Sequence, residues 1–290
     1  MSAAPKKLGH QVTTVNPRRL ALISQSDRKN DRSDAELLAR MARADMKLLS
    51  PVQHRGEETQ AALAVPKARD LLVASRTKLI NHVRATVKSF GFPMPKCEAE
   101  AFHRKTKELV PELLQEALLP IYETLAELEK SMEKLGQRIE ALGKKYTDVG
   151  VVSQPSGVGV LTALVFVLTL EDPARFAKSR EVGAFVGLTP RQDQSGEIDK
   201  QLRITKAGDA FMRRLLVNAA NYILREDSPD SDLKRFGEKL AQRGGKNARK
   251  RAKVAVARKL AVLMHRLWVT GEVYEPLRNA KAMKKVTAAA

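Results

Sequence analysis

Leu118, Ile121, Leu125, Leu128, Met132, Leu135, Ile139 and Leu142 recur at alternating spacings of three and four, with Glu, Lys and Gln between them. Apolar residues held in this a/d register for about four heptads demand a long helix whose narrow apolar stripe is buried against another helix. The segment at about 114–143 therefore reads as a coiled coil that can pair with a second subunit. An amphipathic helix packed on its own domain is the alternative. Tyr122, Gly136 and Gly143 weaken the flanking positions that usually supply interhelical ion pairs.

A helix of this length separates the two ends of the chain, and 290 residues with 43% apolar content are enough for a globular unit at each end. Low aromatic content with abundant Ala, Leu, Lys, Arg and Glu makes the fold class mainly α. The formal charge of +19 is too large for a scattered surface excess and points to a polyanionic partner, nucleic acid first and a membrane surface second. No apolar span approaches a membrane crossing and no leader-like apolar run follows the N-terminal lysines, so a soluble protein is expected. The single cysteine, Cys97, excludes an internal disulfide and a multi-cysteine zinc site, and suits the cytoplasm.

Residues 9–17 alternate with β-branched side chains and stop at Asn16-Pro17, which reads as one strand followed by a turn. A helix begins near Asp34. A second runs from about Gly56 to Phe90, interrupted or bent near Pro66, and carries Lys67, Arg69, Arg76, Lys78, Arg84 and Lys88. Beyond Asp148, Gly157-Val158-Gly159 leads into an apolar helix from Leu161, as in a helix-hairpin-helix unit whose glycine amides can approach a DNA phosphate. Residues 243–259 are again dense in Lys and Arg around a helical segment.

Two groups carry candidate chemistry. Asp31 and Asp34 fall three apart at the start of a predicted helix, where they can share a divalent ion, or simply complement the positive end of the helix dipole. Ser195 sits beside Gly196 in a polar loop flanked by Gly187-Leu188-Thr189-Pro190 and by Arg203, Lys206, Arg213 and Arg214. A nucleophile that meets a phosphate needs such cations, which can hold the phosphate oxygens, but a Ser-Gly pair is equally a turn, and the histidines are remote in sequence.

Lys29-Asn30-Asp31-Arg32-Ser33-Asp34-Ala35, the strand end Val15-Asn16-Pro17, Gly187-Leu188-Thr189-Pro190, Ser195-Gly196 and Ile204-Thr205-Lys206 with Gly208 together resemble the DEDD-type bacterial insertion-sequence transposases, from about Gly9 to Leu277. The resemblance implies a resolvase-like carboxylate domain binding Mg²⁺ through Asp31 and Asp34. It also implies a serine, here Ser195, that attacks DNA, and a structured guide RNA as partner. Gly157, Gly159, Arg203, Lys206, Arg213 and Arg214 become candidate nucleic-acid contacts. Pro155-Ser156-Gly157 departs from the family, which usually has Pro directly before the first Gly. The family's first Asp and its Glu have no counterpart in this sequence, which resembles a copy lacking the first strands.

The expected architecture is a partial resolvase-like α/β domain at 1–50, a helical connector at 51–147 containing the coiled coil, a helical C-terminal DNA-binding domain at 148–278, and a disordered basic tail at 279–290. The expected activity is DNA strand cleavage and rejoining by a cytoplasmic, nucleoid-associated homo-oligomer, impaired by the missing strands. A non-catalytic nucleic-acid-binding remnant and a carboxylate-only metal-dependent nuclease are the alternatives.

Overall fold

The computed structural model describes residues 5, 8–15, 30–49, 52, 54–195 and 198–279. They divide into two compact units, Met1–Glu57 and Glu58–Ala290. Asn16, Pro17, Lys29, Gly196 and the tail from Ala280 lie outside the described residues.

In the first unit, helix α1 (Asp31–Ala44) is capped by Asn30, whose side-chain oxygen accepts from the Ser33 amide at 2.7 Å. Asp31 and Asp34 occupy the first turn and Arg43 the last, matching the helix dipole at both ends. The strand expected at 9–17 is not formed in its described part. Residues 10–14 lack regular structure and Val15 makes an isolated bridge. The Val52 amide donates to the Thr14 carbonyl at 2.7 Å, and one such bond is too little to hold a strand extended. Among the described residues this unit is therefore helical, without the sheet of an α/β domain.

The second unit begins with helix α2 (Glu57–Ser89), which runs uninterrupted through Pro66. Proline removes one helical hydrogen bond, and burial of Ala62, Leu63 and Pro66 holds the helix together across the gap. A short helix α3 (Phe102–Thr106) precedes the 34-residue helix α4 (Glu112–Lys145). Contacts between α2 and α4 show their direction. Lys145 pairs with Glu58, Arg69 lies beside Gly136, Arg76 meets Glu129 at 2.8 Å, and Ile80, Val83 and Val87 share a core with Leu114, Leu118, Tyr122 and Leu125. As numbers rise along α2 they fall along α4, so the two helices form an antiparallel hairpin. Tyr122 stacks on Phe102 at 5.8 Å and shares a 2.8 Å hydrogen bond with Thr106, fastening α3 across its end.

The heptad pattern is thus satisfied from within. Leu118, Leu125, Met132 and Ile139, spaced by sevens, are all buried, whereas Ile121, Leu128 and Leu135 are half-buried. The deepest positions of the stripe face the chain's own helices, as in the alternative of an amphipathic helix packed on its own domain. Ile139 and Leu142 also join the core of the C-terminal helices, so packing is continuous across the expected boundary at 147/148.

That core surrounds helix α6 (Val160–Leu170), apolar on every side and buried at nine of its eleven positions. Helices α5 (Asp148–Val152), α7 (Arg180–Phe185), α8 (Ala210–Ile223), α9 (Asp232–Ala241) and α10 (Ala248–Thr270) complete it. The described sheet is one antiparallel pair, β1 (Pro190–Ser195) and β2 (Ile198–Ile204), inserted between α7 and α8. No described helix is long and apolar enough to cross a membrane.

Intrachain packing of α4 gives a prediction. Leu118→Ala should destabilise the fold by about 2–5 kcal/mol, the cost of a buried cavity, with no change in oligomeric mass. Denaturant unfolding beside sedimentation checks this, and dissociation of an assembly without loss of monomer stability would restore the intersubunit seam.

Candidate active-site hairpin

Ser195 lies at the end of β1, opposite Ile198 in the register, on a hairpin whose first strand is exposed from Arg191 onward. The sequence reading of a polar loop is corrected here. Pro190-Arg191-Gln192-Asp193-Gln194-Ser195 has no apolar alternation because neither face of the strand is covered, so the periodic signal that marks a half-buried strand is missing. Gln192 pairs with Gln201 and Pro190 with Ile204. Leu202 and Arg203 therefore face Arg191 alone, and this extra residue makes a bulge that bends the ribbon near its root.

The root is built by close backbone approach. Gly187 and Gly208 both have positive φ, 71° and 69°. A Cβ on Gly187 would overlap the backbone nitrogen and oxygen of Ala207, and one on Gly208 would overlap the Phe185 carbonyl oxygen. Each glycine is thus required by conformation and by space. The Thr205 amide donates to the Thr189 carbonyl at 2.9 Å and the Lys206 amide to the Gly187 carbonyl at 3.1 Å, zipping the two segments together. Arg213, from the first turn of α8, donates through Nη1 to the carbonyls of Val186 (3.0 Å) and Ala207 (2.7 Å), bracing both.

Asp209 caps α8, accepting from the Met212 amide at 2.9 Å, and pairs with Lys67 of α2 at 3.0 Å. Burial alone would raise its carboxyl pKa, but the Met212 amide, Lys67 and the Phe211 amide outweigh that and hold it below the usual range. Arg214 pairs with Asp70, also on α2, and lies over the Phe211 ring at 5.3 Å.

The candidate nucleic-acid contacts therefore separate. Gly159, Arg203 and Lys206 are exposed. Arg213 and Arg214 are engaged within the chain. Gly157 has φ 82°, and a Cβ there would lie 2.9 Å from the Ala219 carbonyl and 3.0 Å from Tyr222. Packing on α8 thus explains its lack of a side chain without a phosphate. His265 is buried, with Nε2 donating to the Pro173 carbonyl at 3.0 Å and Nδ1 bonded to Ser179 at 3.0 Å, so it supplies no base to Ser195. Sequence reasoning missed Asp70 and Asp209, and counted Lys67 only among the cations of the second helix. Asp209 had a readable signal, an Asp directly before an apolar helix, whereas Lys67 and Asp70 looked like any solvated helix face.

Residues 151–235, which contain the hairpin, its root and the α5–α6 turn, match the IS116/IS110/IS902 transposase family, and residues 2–92 match the DEDD transposases of IS110-type elements. The transposase of insertion sequence element IS1111A from Coxiella burnetii is 32% identical over 275 residues, covering 92% of this chain and 74% of that protein. The chain belongs to this family of insertion-sequence transposases. The IS1328 transposase of Yersinia enterocolitica is 31% identical, with 76% and 66% covered. A probable family 20 transposase of Pseudomonas aeruginosa is 26% identical, with 93% and 81% covered. The DEDD match includes α1 with Asp31 and Asp34 and extends along the whole of α2.

For a DEDD transposase a divalent metal is implied. Asp31 and Asp34, one helical turn apart and exposed to half-buried, suit the one or two carboxylates that a hydrated Mg²⁺ commonly takes from protein. Among the described residues no group of three or more His, Cys, Asp or Glu side chains could hold a metal.

The glycine lock makes the root of the transposase hairpin sensitive to a single methyl. Gly208→Ala should lower stability by more than about 1 kcal/mol, since a positive-φ penalty is joined by backbone overlap, and should speed hydrogen exchange at the Thr205 and Lys206 amides. Unchanged protection of those two amides would show that the root does not depend on this contact.

Proposed function

We propose that this transposase cuts and rejoins DNA through Ser195. The observation that carries the reading is the placement of that hydroxyl, on a polar ribbon that protrudes into solvent yet is fixed to the core by two interlocked glycines and Arg213. A nucleophile on a rigid root can be presented to a bulky duplex without costing the orientation that catalysis needs. Ser195 Oγ attacks the scissile phosphorus, an Oγ–P bond forms, and the bond from phosphorus to the leaving deoxyribose oxygen breaks. The serine proton is released and the leaving oxygen is protonated. Attack of a strand hydroxyl on the phosphoserine reverses these steps and joins the new strand, so one phosphodiester is exchanged for another throughout. In the first unit, Asp31 and Asp34 are the residues we assign to Mg²⁺, an ion that can supply charge stabilisation to phosphate oxygens.

Arg203 and Lys206 flank the substrate path near the root, with Gly159 at the uncapped start of α6 offering backbone amides to a second phosphate. Residues 243–259 contain eight cations and no acid. Arg249, Lys250 and Arg251 occupy the first turns of α10, where the helix dipole disfavours positive charge. A polyanion relieves that repulsion, and both the DNA and a structured guide RNA provide one.

Two measurements follow. On a duplex carrying an element end, with divalent metal present, a covalent protein–DNA species should appear on a denaturing gel and vanish in Ser195→Ala without loss of DNA binding. Its persistence in that variant would remove Ser195 from the chemistry. Binding should weaken steeply with salt, by about 0.9 log units per log unit for each phosphate neutralised on duplex DNA. Replacing Arg249, Lys250 and Arg251 with Ala should reduce that slope by about 3, and an unaltered slope would place the bound phosphates elsewhere.

A further inference from the structure

Lys67 and Asp70 lie three residues apart on α2, on neighbouring positions of one helix face. Both reach the start of α8, Lys67 to Asp209 and Asp70 to Arg214. The signs are crossed, because α2 presents plus then minus and α8 presents minus then plus. A slip of one helix along the other would bring Lys67 toward Arg214 in one direction or Asp70 toward Asp209 in the other, a like-charge contact either way. Crossed pairs of this kind select a register more effectively than they add stability.

Exposure supports that division. Lys67, Asp70 and Arg214 are 45%, 36% and 53% exposed, so solvent screens most of what their pairing contributes to folding. Asp209 is only 15% exposed and directly follows Gly208, so whatever fixes Asp209 fixes the root of the Ser195 hairpin. Arg213, between the two α8 partners, holds both segments of that root. The helix on the other side of the pairs begins at Glu57, where the carboxylate-bearing unit ends, and continues unbroken past Asp70.

We propose that the crossed ion pairs Lys67–Asp209 and Asp70–Arg214 set the register of α2 against the root of the Ser195 hairpin, making these four side chains positioning residues for strand cleavage. The proposal rests on Ser195 as nucleophile. On this assignment Arg214 acts through Asp70 and not through a DNA phosphate.

A charge swap tests it. Asp70→Arg and Arg214→Asp, alone and together, are compared for the rate of covalent adduct formation on the element-end duplex, for thermal unfolding, and for hydrogen exchange at the Thr205 and Lys206 amides. Each single reversal should slow adduct formation by about tenfold or more, the scale of a sub-ångström misplacement, and speed exchange at the root. The double variant, which restores the pair but no longer crosses the signs, should recover part of both, with unfolding temperatures nearly constant across the set. Single variants that match the parent in rate and exchange would overturn the proposal. A double variant no better than Arg214→Asp alone would do the same and make Arg214 a phosphate contact. Where a reversal unfolds the protein, Asp70→Asn replaces it and should show the same two losses in weaker form. Ser195→Ala separates the readings: an adduct that survives it refutes the nucleophile, while exchange at the root still reports whether the swapped pair restores register.

Discussion

Two stretches of main chain, one ending α7 and one leading into α8, approach until neither can carry a side chain at the contact. Gly187 sits against Ala207 and Gly208 against the Phe185 carbonyl, each with a left-handed backbone that glycine alone adopts at little cost. The placement of Ser195 depends on this closure. The first strand beyond it, residues 191–195, is polar and exposed, so a two-stranded ribbon of this kind cannot stabilise itself. Its orientation comes from the root, and the root from backbone contact, two main-chain hydrogen bonds and the Arg213 brace.

The long helices serve the same end by a different force. Leu118, Leu125, Met132 and Ile139 close against the chain's own helices, forming a stiff antiparallel hairpin whose near end shares the C-terminal core. That burial docks the N-terminal half of α2 beside α8, where Lys67 and Asp70 find opposite charges. Apolar area supplies the stability and the exposed ion pairs supply the alignment, the division expected from the small net energy of solvated pairs.

Much of this was legible before any coordinates. The heptad marked α4 as a long helix buried along a narrow stripe, and the residues from Gly56 to Phe90 mapped almost residue for residue onto α2. Periodicity could not say which helix fills the stripe, because an intrachain antiparallel partner and a second subunit leave the same a/d pattern. The first strand of the hairpin is invisible in the sequence, since alternation is a record of burial and residues 191–195 are exposed throughout. Gly157 has the same sequence signature whether a phosphate or a neighbouring helix requires it, and its contact with α8 explains it. Arg213 and Arg214 are indistinguishable from free cations in the sequence, yet one braces carbonyls and the other faces Asp70, partners set by tertiary distance. The family motifs pick out the root of the hairpin because its glycines, Gly187 and Gly208, record backbone geometry.

The most direct test is to locate the covalent bond itself. If the protein–DNA species is isolated, digested with nuclease and then with trypsin, cleavage after Arg191 and Lys200 releases the peptide 192–200. Mass spectrometry should find a nucleotide remnant on that peptide, esterified to Ser195. A remnant on any other peptide, such as one containing Tyr222, would contradict the account, as would cleaved DNA with no residue modified.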